Sequence, residues 1–301
     1  MRSAQVCFAL SWKLSGAAPD RKSLLRWQTG MILDVFNAVT WYPAGMRLLI
    51  FILFASMQAA LAAELPLAIT LAGQPGVYTI KRWKSDWQGC EFEGGIAQGR
   101  VVIVETDALK WLRVNFAVGK IGPEEGGAGW RMPFGKHETA ELGYTLRFSK
   151  DFDFVKGGKL PGLCGGPDNV SGGRRATGTN GFSARLMWRK DGRGEAYMYH
   201  KNQNGDYGDS FAFPADFRFP METPVKVKIA VTMNTVGKRD GVLRVWIDEK
   251  RLVERTDMEW RTVDSFGVDG LYFETFHGGG DASWAPTRAC WAEFTEMKVG
   301  R

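Results

Sequence analysis

From residue 64 onward the chain is written in short runs of β-branched and aromatic residues, each broken by clusters of Gly, Pro, Asn and Asp. Runs of this kind mark strands separated by turns. Ten strands are predicted, at 76–80, 99–105, 111–116, 140–148, 182–188, 195–199, 225–233, 241–247, 270–276 and 289–299. No long amphipathic helical period, internal repeat or linker interrupts them. So many strands in one domain of this size must cover their edges, which favours an all-β, two-sheet β-jelly roll (sandwich) over an open sheet.

Two predicted strands carry polar residues in strict alternation. In Phe182-Ser-Ala-Arg-Leu-Met-Trp188, Ser183, Arg185 and Met187 face one way, and Phe182, Ala184, Leu186 and Trp188 the other. In Glu195-Ala-Tyr-Met-Tyr-His200, Glu195, Tyr197 and Tyr199 share a face, which leaves His200 on the apolar side as a core histidine. Such a pattern suits a sheet with one wet, concave face. Lys190-Asp-Gly-Arg193 between the two strands signals a hairpin. A two-residue turn would set Arg185 against Met198 and mix the faces. A three-residue loop with Gly192 left-handed sets Arg185 against Tyr197 or Tyr199 and keeps them pure, so an odd-length loop or an equivalent bulge is expected.

The stretch Lys156-Gly-Gly-Lys-Leu-Pro-Gly-Leu-Cys-Gly-Gly166 is unusual in keeping two lysines among Gly and Pro. It reads as a stiffened loop whose glycines let the backbone approach a ligand while Lys159 is presented from a defined shape. The segments 122–135 and 165–181, rich in Gly with Arg131, Arg174 and Arg175, read as lids. His277-Gly-Gly-Gly-Asp281 lacks the strand-to-helix context and the Lys-Ser/Thr of a phosphate loop, and reads as a mobile rim that carries Trp284.

Charge narrows the partners. The formal net charge is +6, but six of the 39 basic and two of the 33 acidic residues fall within 1–63, which leaves 33 against 31 beyond. A net of +2 is no general nucleic-acid footprint, so anion recognition must come from a local patch. Met46 to Glu64 has a charged start, an apolar core and an Ala60-Leu61-Ala62 cleavage pattern, the form of a secretory signal peptide at 46–62. Residues 1–45 then read as an over-called, disordered N-terminal extension, and 63–301 as a single β domain, secreted or periplasmic, with no stable membrane association after cleavage. The cysteines after the leader are Cys90, Cys164 and Cys290; a Cys90–Cys290 bridge is expected, and Cys164 as a packed free thiol. No zinc spacing and no cofactor fingerprint is present, so no metal and no cofactor are expected.

The stretches 156–166 and 181–189, Tyr197-Met-Tyr-His-Lys-Asn-Gln203, Asn234-Thr-Val-Gly-Lys-Arg-Asp-Gly241 with Val245-Trp-Ile-Asp248, and Gly278-Gly-Gly-Asp-Ala-Ser-Trp-Ala-Pro286 together resemble polysaccharide lyase family 14, which includes alginate lyases and glucuronan-cleaving enzymes. The resemblance runs from about Lys81 onward. It implies a jelly roll with a concave polysaccharide cleft and, position by position, a catalytic lysine at Lys159, Ser183 and Arg185 on the following strand, and the tyrosine pair Tyr197 and Tyr199. Lys201, Gln203, Trp284 and His137 are expected to bind substrate. Cys164 stands where an aromatic is expected.

Cleaving a 4-linked uronan by β-elimination requires neutralising the C6 carboxylate, removing the C5 proton and protonating the departing O4. Lys and Arg supply the charge, and Lys or Tyr can move the proton. Lys159 would act as base or carboxylate clamp, Arg185 as clamp, Tyr197 or Tyr199 as acid, and Ser183 as an orienting hydrogen bond. The expected function is therefore a secreted, monomeric lyase acting on a polyuronate such as alginate, giving 4,5-unsaturated ends. A β-1,4-glucuronan lyase, a non-catalytic glycan-binding jelly-roll module and a glycoside hydrolase are the alternatives.

Overall fold

The computed structural model describes residues 65–301, so the expected signal peptide and the extension before it lie outside the described residues. Two antiparallel sheets pack face to face as a jelly roll. The larger runs in the order β13 (Lys250–Met258), β12 (Gly241–Ile247), β11 (Val225–Thr232), β6 (Thr139–Phe148), β15 (Cys290–Gly300), β4 (Leu109–Phe116), β3 (Val101–Thr106) and β2 (Gly76–Val77), with β1 (Leu67–Ala68) also beside β15. The smaller runs β10 (Asp209–Ala212), β9 (Gly194–Tyr199), β8 (Phe182–Arg189), β7 (Gly157–Gly165), β14 (Val268–His277) and β5 (Ala128–His137).

Alternation explains the larger sheet. Val225, Val227, Ile229 and Val231 of β11 are buried, whereas Lys226 and Lys228 between them face water. The neighbouring β6 turns Ala140, Leu142, Tyr144, Leu146 and Phe148 to the same core. Each strand thus hides one face.

The smaller sheet behaves differently, because β8 and β9 are buried on both faces except at Arg189. Of the residues expected on a wet face, Ser183 and Arg185 lie beneath a loop that folds over the concave side, and Glu195 is buried against Arg189 and Ser210.

Between the sheets, Trp130 stacks on Phe273 at 4.2 Å, and Trp87 meets the Trp130 ring edge-on at 5.0 Å. Trp83 and Trp87 come from a short helix, α1 (Ile80–Asp86), and its C-cap. The strand expected at 76–80 is therefore cut to two residues. Thr79 caps the helix by accepting the Arg82 N–H, and one turn places both tryptophans in the core.

Three further expectations change. Segment 128–137 is no lid but the edge strand β5, paired along β14. Cys90 and Cys290 are free thiols rather than a bridge. Cys290 pairs with Phe116 inside the larger sheet, whereas Cys90 precedes Glu91, whose N–H donates to the Arg131 carbonyl at the edge of the smaller sheet. Burial pushes the Cys90 thiol up to about 12 and the Cys290 thiol up to about 11.

The third concerns the Gly-rich stretch at 156–166, which is strand β7 between β8 and β14 rather than a loop. Its glycines are demanded by packing. A Cβ on Gly158 would lie 2.1 Å from the Trp188 ring, and one on Gly162 2.0 Å from the Ala184 carbonyl oxygen. Pro161 is tolerated in this central strand because it sits in a bulge: the register steps from Leu160↔Leu186 to Leu163↔Ala184, so Pro161 and Gly162 together oppose Arg185. The Pro161 carbonyl accepts the Tyr144 hydroxyl at 3.2 Å, which satisfies a buried backbone acceptor.

Candidate active site

The bulge in β7 decides the centre of the concave face. Strands β8 and β14 flank β7 and stand roughly 10 Å apart, two interstrand spacings. Neither bulge residue carries a long side chain, and the Arg185 guanidinium reaches across β7 to form a buried ion pair with Glu274 of β14. Glu274 also accepts the Tyr272 hydroxyl at 2.9 Å, and the guanidinium carbon lies 4.8 Å from the Tyr272 ring centre. The second guanidinium nitrogen donates to Ser171 Oγ at 2.8 Å. Arg185 is fully buried, so it lies behind the cleft surface instead of at it.

Along the next row of the sheet, Phe276, Lys159, Met187 and Glu195 are successive cross-strand partners on β14, β7, β8 and β9. Lys159 Nζ donates to Met187 Sδ at 2.8 Å and sits 3.5 Å from the centre of the Tyr197 ring. Burial is the main cause that pushes its pKa well below the usual lysine value; the Arg185 and Arg189 guanidinium groups push the same way, and Glu274 and Glu195 pull back.

Tyr197 lies opposite Arg185, and Tyr199 opposite Ser183. The hairpin between them has a three-residue loop with Gly192 left-handed at φ 74°, the odd length that keeps the two faces pure. The two tyrosine rings meet edge-on at 5.7 Å. The Tyr197 oxygen accepts the Gly208 N–H and the Tyr199 oxygen the Gly173 N–H, both at 3.1 Å. The two hydroxyls also share a hydrogen bond, which keeps a proton within the pair. Burial and the neighbouring Tyr199 raise the Tyr197 pKa, which holds that proton more firmly.

These side chains line a cavity of about 480 Å³, open to solvent. Strand residues Lys159, Met187, Arg189, Tyr197, Tyr199 and Phe276 form its floor, and loops add Ser171, Gly172, Tyr207, Gly278 to Gly280 and Trp284. Segment 166–181 lies over one end. Ser183 Oγ donates to the Val170 carbonyl at 2.8 Å, and Val170 and Ala176 pack with Met187, Tyr197 and Tyr199. At the other end Lys156 Nζ donates to Ser283 Oγ, and its nitrogen lies 5.9 Å from the Trp284 ring centre, so this lysine tethers the rim loop.

Of the expected site residues, Lys159, Tyr197, Tyr199 and Trp284 line the cavity, and Arg185 and Ser183 lie beneath it. Lys201, Gln203 and His137 lie outside the lining. Gln203 is buried and donates to the Gly205 and Tyr207 carbonyls, so it shapes the loop that presents Tyr207. The Lys201 backbone N–H donates to the Glu259 carbonyl, and its stem fills the space over Gly178. His137 ends β5 opposite Val268, at the far edge strand of the smaller sheet.

Sequence reasoning missed Arg189, Tyr207, Met187 and Glu274. Met187 was legible from its alternation with Arg185; Glu274 needed the β14–β7 pairing. Among the described residues no group of three or more His, Cys, Asp or Glu side chains could hold a metal ion, and no helix is long and apolar enough to cross a membrane.

The family model of polysaccharide lyase 14 matches residues 105–297. No curated protein matches the chain. Among solved structures, alginate lyase Aly36B is 26% identical with a TM-score of 0.70, covering 80% of this chain and 98% of its own. A mutant of that enzyme is solved in complex with an alginate tetrasaccharide. The marine alginate lyase from Aplysia kurodai is 26% identical with a TM-score of 0.65, covering 77% of this chain and 98% of its own. Alginate lyase vAL-1 from Chlorella virus, at 19% identity and a TM-score of 0.62, shares the fold.

Proposed function

Because the chain belongs to polysaccharide lyase family 14, we propose that it cleaves a 4-linked polyuronate, alginate foremost, by β-elimination in the cavity around Lys159. The observation that carries this reading is the Lys159 amine: it is held against Met187 and the Tyr197 ring with a depressed pKa, at the floor of an open cavity. An amine in that state is neutral, and so basic, at a pH where an exposed lysine is not.

Lys159 takes the C5 proton. The electrons of that C–H bond form the C4–C5 double bond as the C4–O4 bond breaks, and O4 leaves with a proton from the tyrosine pair. Both phenol oxygens accept a backbone N–H, which fixes the pair on the cavity floor. The C6 carboxylate, which must carry charge as C5 is deprotonated, is met by the Ser171 hydroxyl and by Arg189, which pairs with Glu195 yet stays partly exposed on the cavity wall. Arg185 acts through Ser171 and through its field on Lys159 rather than as a direct clamp, since Glu274 and Ser171 occupy its guanidinium. Tyr207 and Trp284 offer faces to sugar rings.

The test follows the unsaturated uronate by ultraviolet absorbance on alginate, glucuronan and a neutral glucan. Absorbance on a polyuronate that Lys159→Ala abolishes supports the reading. New reducing ends without absorbance would instead indicate hydrolysis, and binding with neither signal a non-catalytic module. The pattern at 46–62 further supports a secreted enzyme; N-terminal sequencing of exported protein that found residues upstream of Met46 would refute a start there.

A further inference from the structure

A second cavity, of about 520 Å³, adjoins the first at the β8–β9 hairpin and shares Arg189 with it. Its charged lining is Lys156, Arg189, Lys190 and Arg193 against one carboxylate, Glu195. That carboxylate is already engaged, with Arg189 at 2.6 Å and the Ser210 hydroxyl at 2.9 Å. Lys156, Lys190 and Arg193 are exposed; Lys156 is held by Ser283 in the field of Asp281, whereas among the described residues no carboxylate lies within ion-pair distance of Lys190 or Arg193. Asp191, at the hairpin tip, is outside the lining. The remaining wall, Ala212, Phe213 and Pro214, is apolar.

An excess of cations beside an apolar wall sets this basin apart from a cavity on the larger sheet. On the outer face of the larger sheet, the cavity that holds Lys226, Lys228 and Lys298 also holds Glu249 and Glu296, and Lys228 is further paired with Glu141. The basin at the hairpin instead leaves Lys190 and Arg193 without a carboxylate partner, and it touches the cavity around Lys159. The opposite end of that cavity is covered by segment 166–181, which is bonded to Tyr199 through the Gly173 N–H and to Ser183 and Arg185 through Val170 and Ser171.

We infer that the hairpin basin is an additional binding site for acidic sugar units: the polyuronate leaves the cavity past Arg189 and lays its following carboxylates on Lys190 and Arg193. The inference rests on the polyuronate reading above. It gives the bound chain a direction, away from segment 166–181 and over the hairpin. It also makes affinity depend on chain length, because only substrates long enough to cross Arg189 reach the basin. Charges at such a rim act through a field that salt screens.

The experiment measures binding of alginate oligosaccharides, from disaccharide to octasaccharide, to Lys159→Ala protein by calorimetry at low and high salt. The double variant Lys190→Ala/Arg193→Ala is added to that background, with Lys238→Ala/Arg239→Ala at the exposed β11–β12 turn as a control of equal charge. The expected result is a roughly tenfold rise in Kd for the octasaccharide, a much smaller one for the disaccharide, a shallower salt dependence, and no change in the control. Lys190→Glu alone should give the same length dependence, and the thermal transition of each variant reports folding. A loss equal at every length, or equal in the control, would overturn the basin. If wild-type protein makes no unsaturated product but the length-dependent loss persists, the lyase reading fails and the basin stands. If product forms and the hairpin variants bind every length as their parent does, the basin alone fails.

Discussion

The Lys159 Nζ lies 3.5 Å from the centre of the Tyr197 ring, two strands away across the concave sheet. The contact joins the proposed base to one of the two proposed acids, and it exists because Met187 between them is unbranched and turns its sulfur to the amine.

The acid limb of the rate profile should follow Lys159. Elimination needs the neutral amine, so kcat/KM should rise with pH through a value below the ordinary lysine pKa of about 10.4 and level off above it. On the basic side, activity should fall only where a proton-donating tyrosine ionises. For Tyr197 that lies above the usual tyrosine value of about 10, because burial raises it. An acid limb centred at or above 10 would remove Lys159 from the role of base.

Neighbouring charges should move that limb in opposite directions. Glu274 favours the Lys159 ammonium, so Glu274→Gln should shift the limb to lower pH. Arg189 disfavours it, so Arg189→Ala should shift the limb to higher pH. Pre-steady-state rates on a short oligomer across pH check both signs. Glu274→Gln should also lower Tm, since it leaves the buried Arg185 charge without its counter-ion, a loss of roughly 3–5 kcal/mol when such a pair is broken.

The two tyrosines should separate on losing their hydroxyls. Whichever gives O4 its proton should lose about 10²–10⁴-fold in kcat as the Phe variant, the usual range for general acid catalysis. The other should lose mainly affinity. Substrates with a better leaving group at C4 should rescue the acid variant and not the other.

Gly162→Ala tests the bulge. Its Cβ would meet backbone of β8 at 2.0 Å, where no side chain can yield. Destabilisation of roughly 1–3 kcal/mol is expected, read as a fall in Tm of roughly 3–10 °C for a domain of this size. Activity should fall further than stability explains, because the bulge lets Arg185 reach Glu274.

Cys90, Cys164 and Cys290 should all alkylate in unfolded, unreduced protein, and Tm should not respond to reductant, as all three are free. A mass consistent with a bridged pair would contradict the structure.

Sequence alone was enough for the strand faces at 182–188 and 195–199. Alternation sorts side chains without knowledge of their neighbours, and the mixed faces of a two-residue turn excluded an even loop between them. The family resemblance added the catalytic roles expected of Lys159 and the tyrosine pair. What it could not reach was the meaning of 156–166. Glycine and proline signal a loop when read locally, yet here Gly158 and Gly162 mark where Trp188 and the β8 backbone press against a central strand. Burial of Arg185, the Glu274 partner and the unpaired cations at Arg193 depend on which strands become neighbours and which loops fold over them. Those are contacts between residues distant along the chain, and local periodicity carries no information about them. Residue types and faces were thus legible from the sequence, while the depressed amine of Lys159 and the ion pair of Arg185 with Glu274 were decided only by tertiary packing.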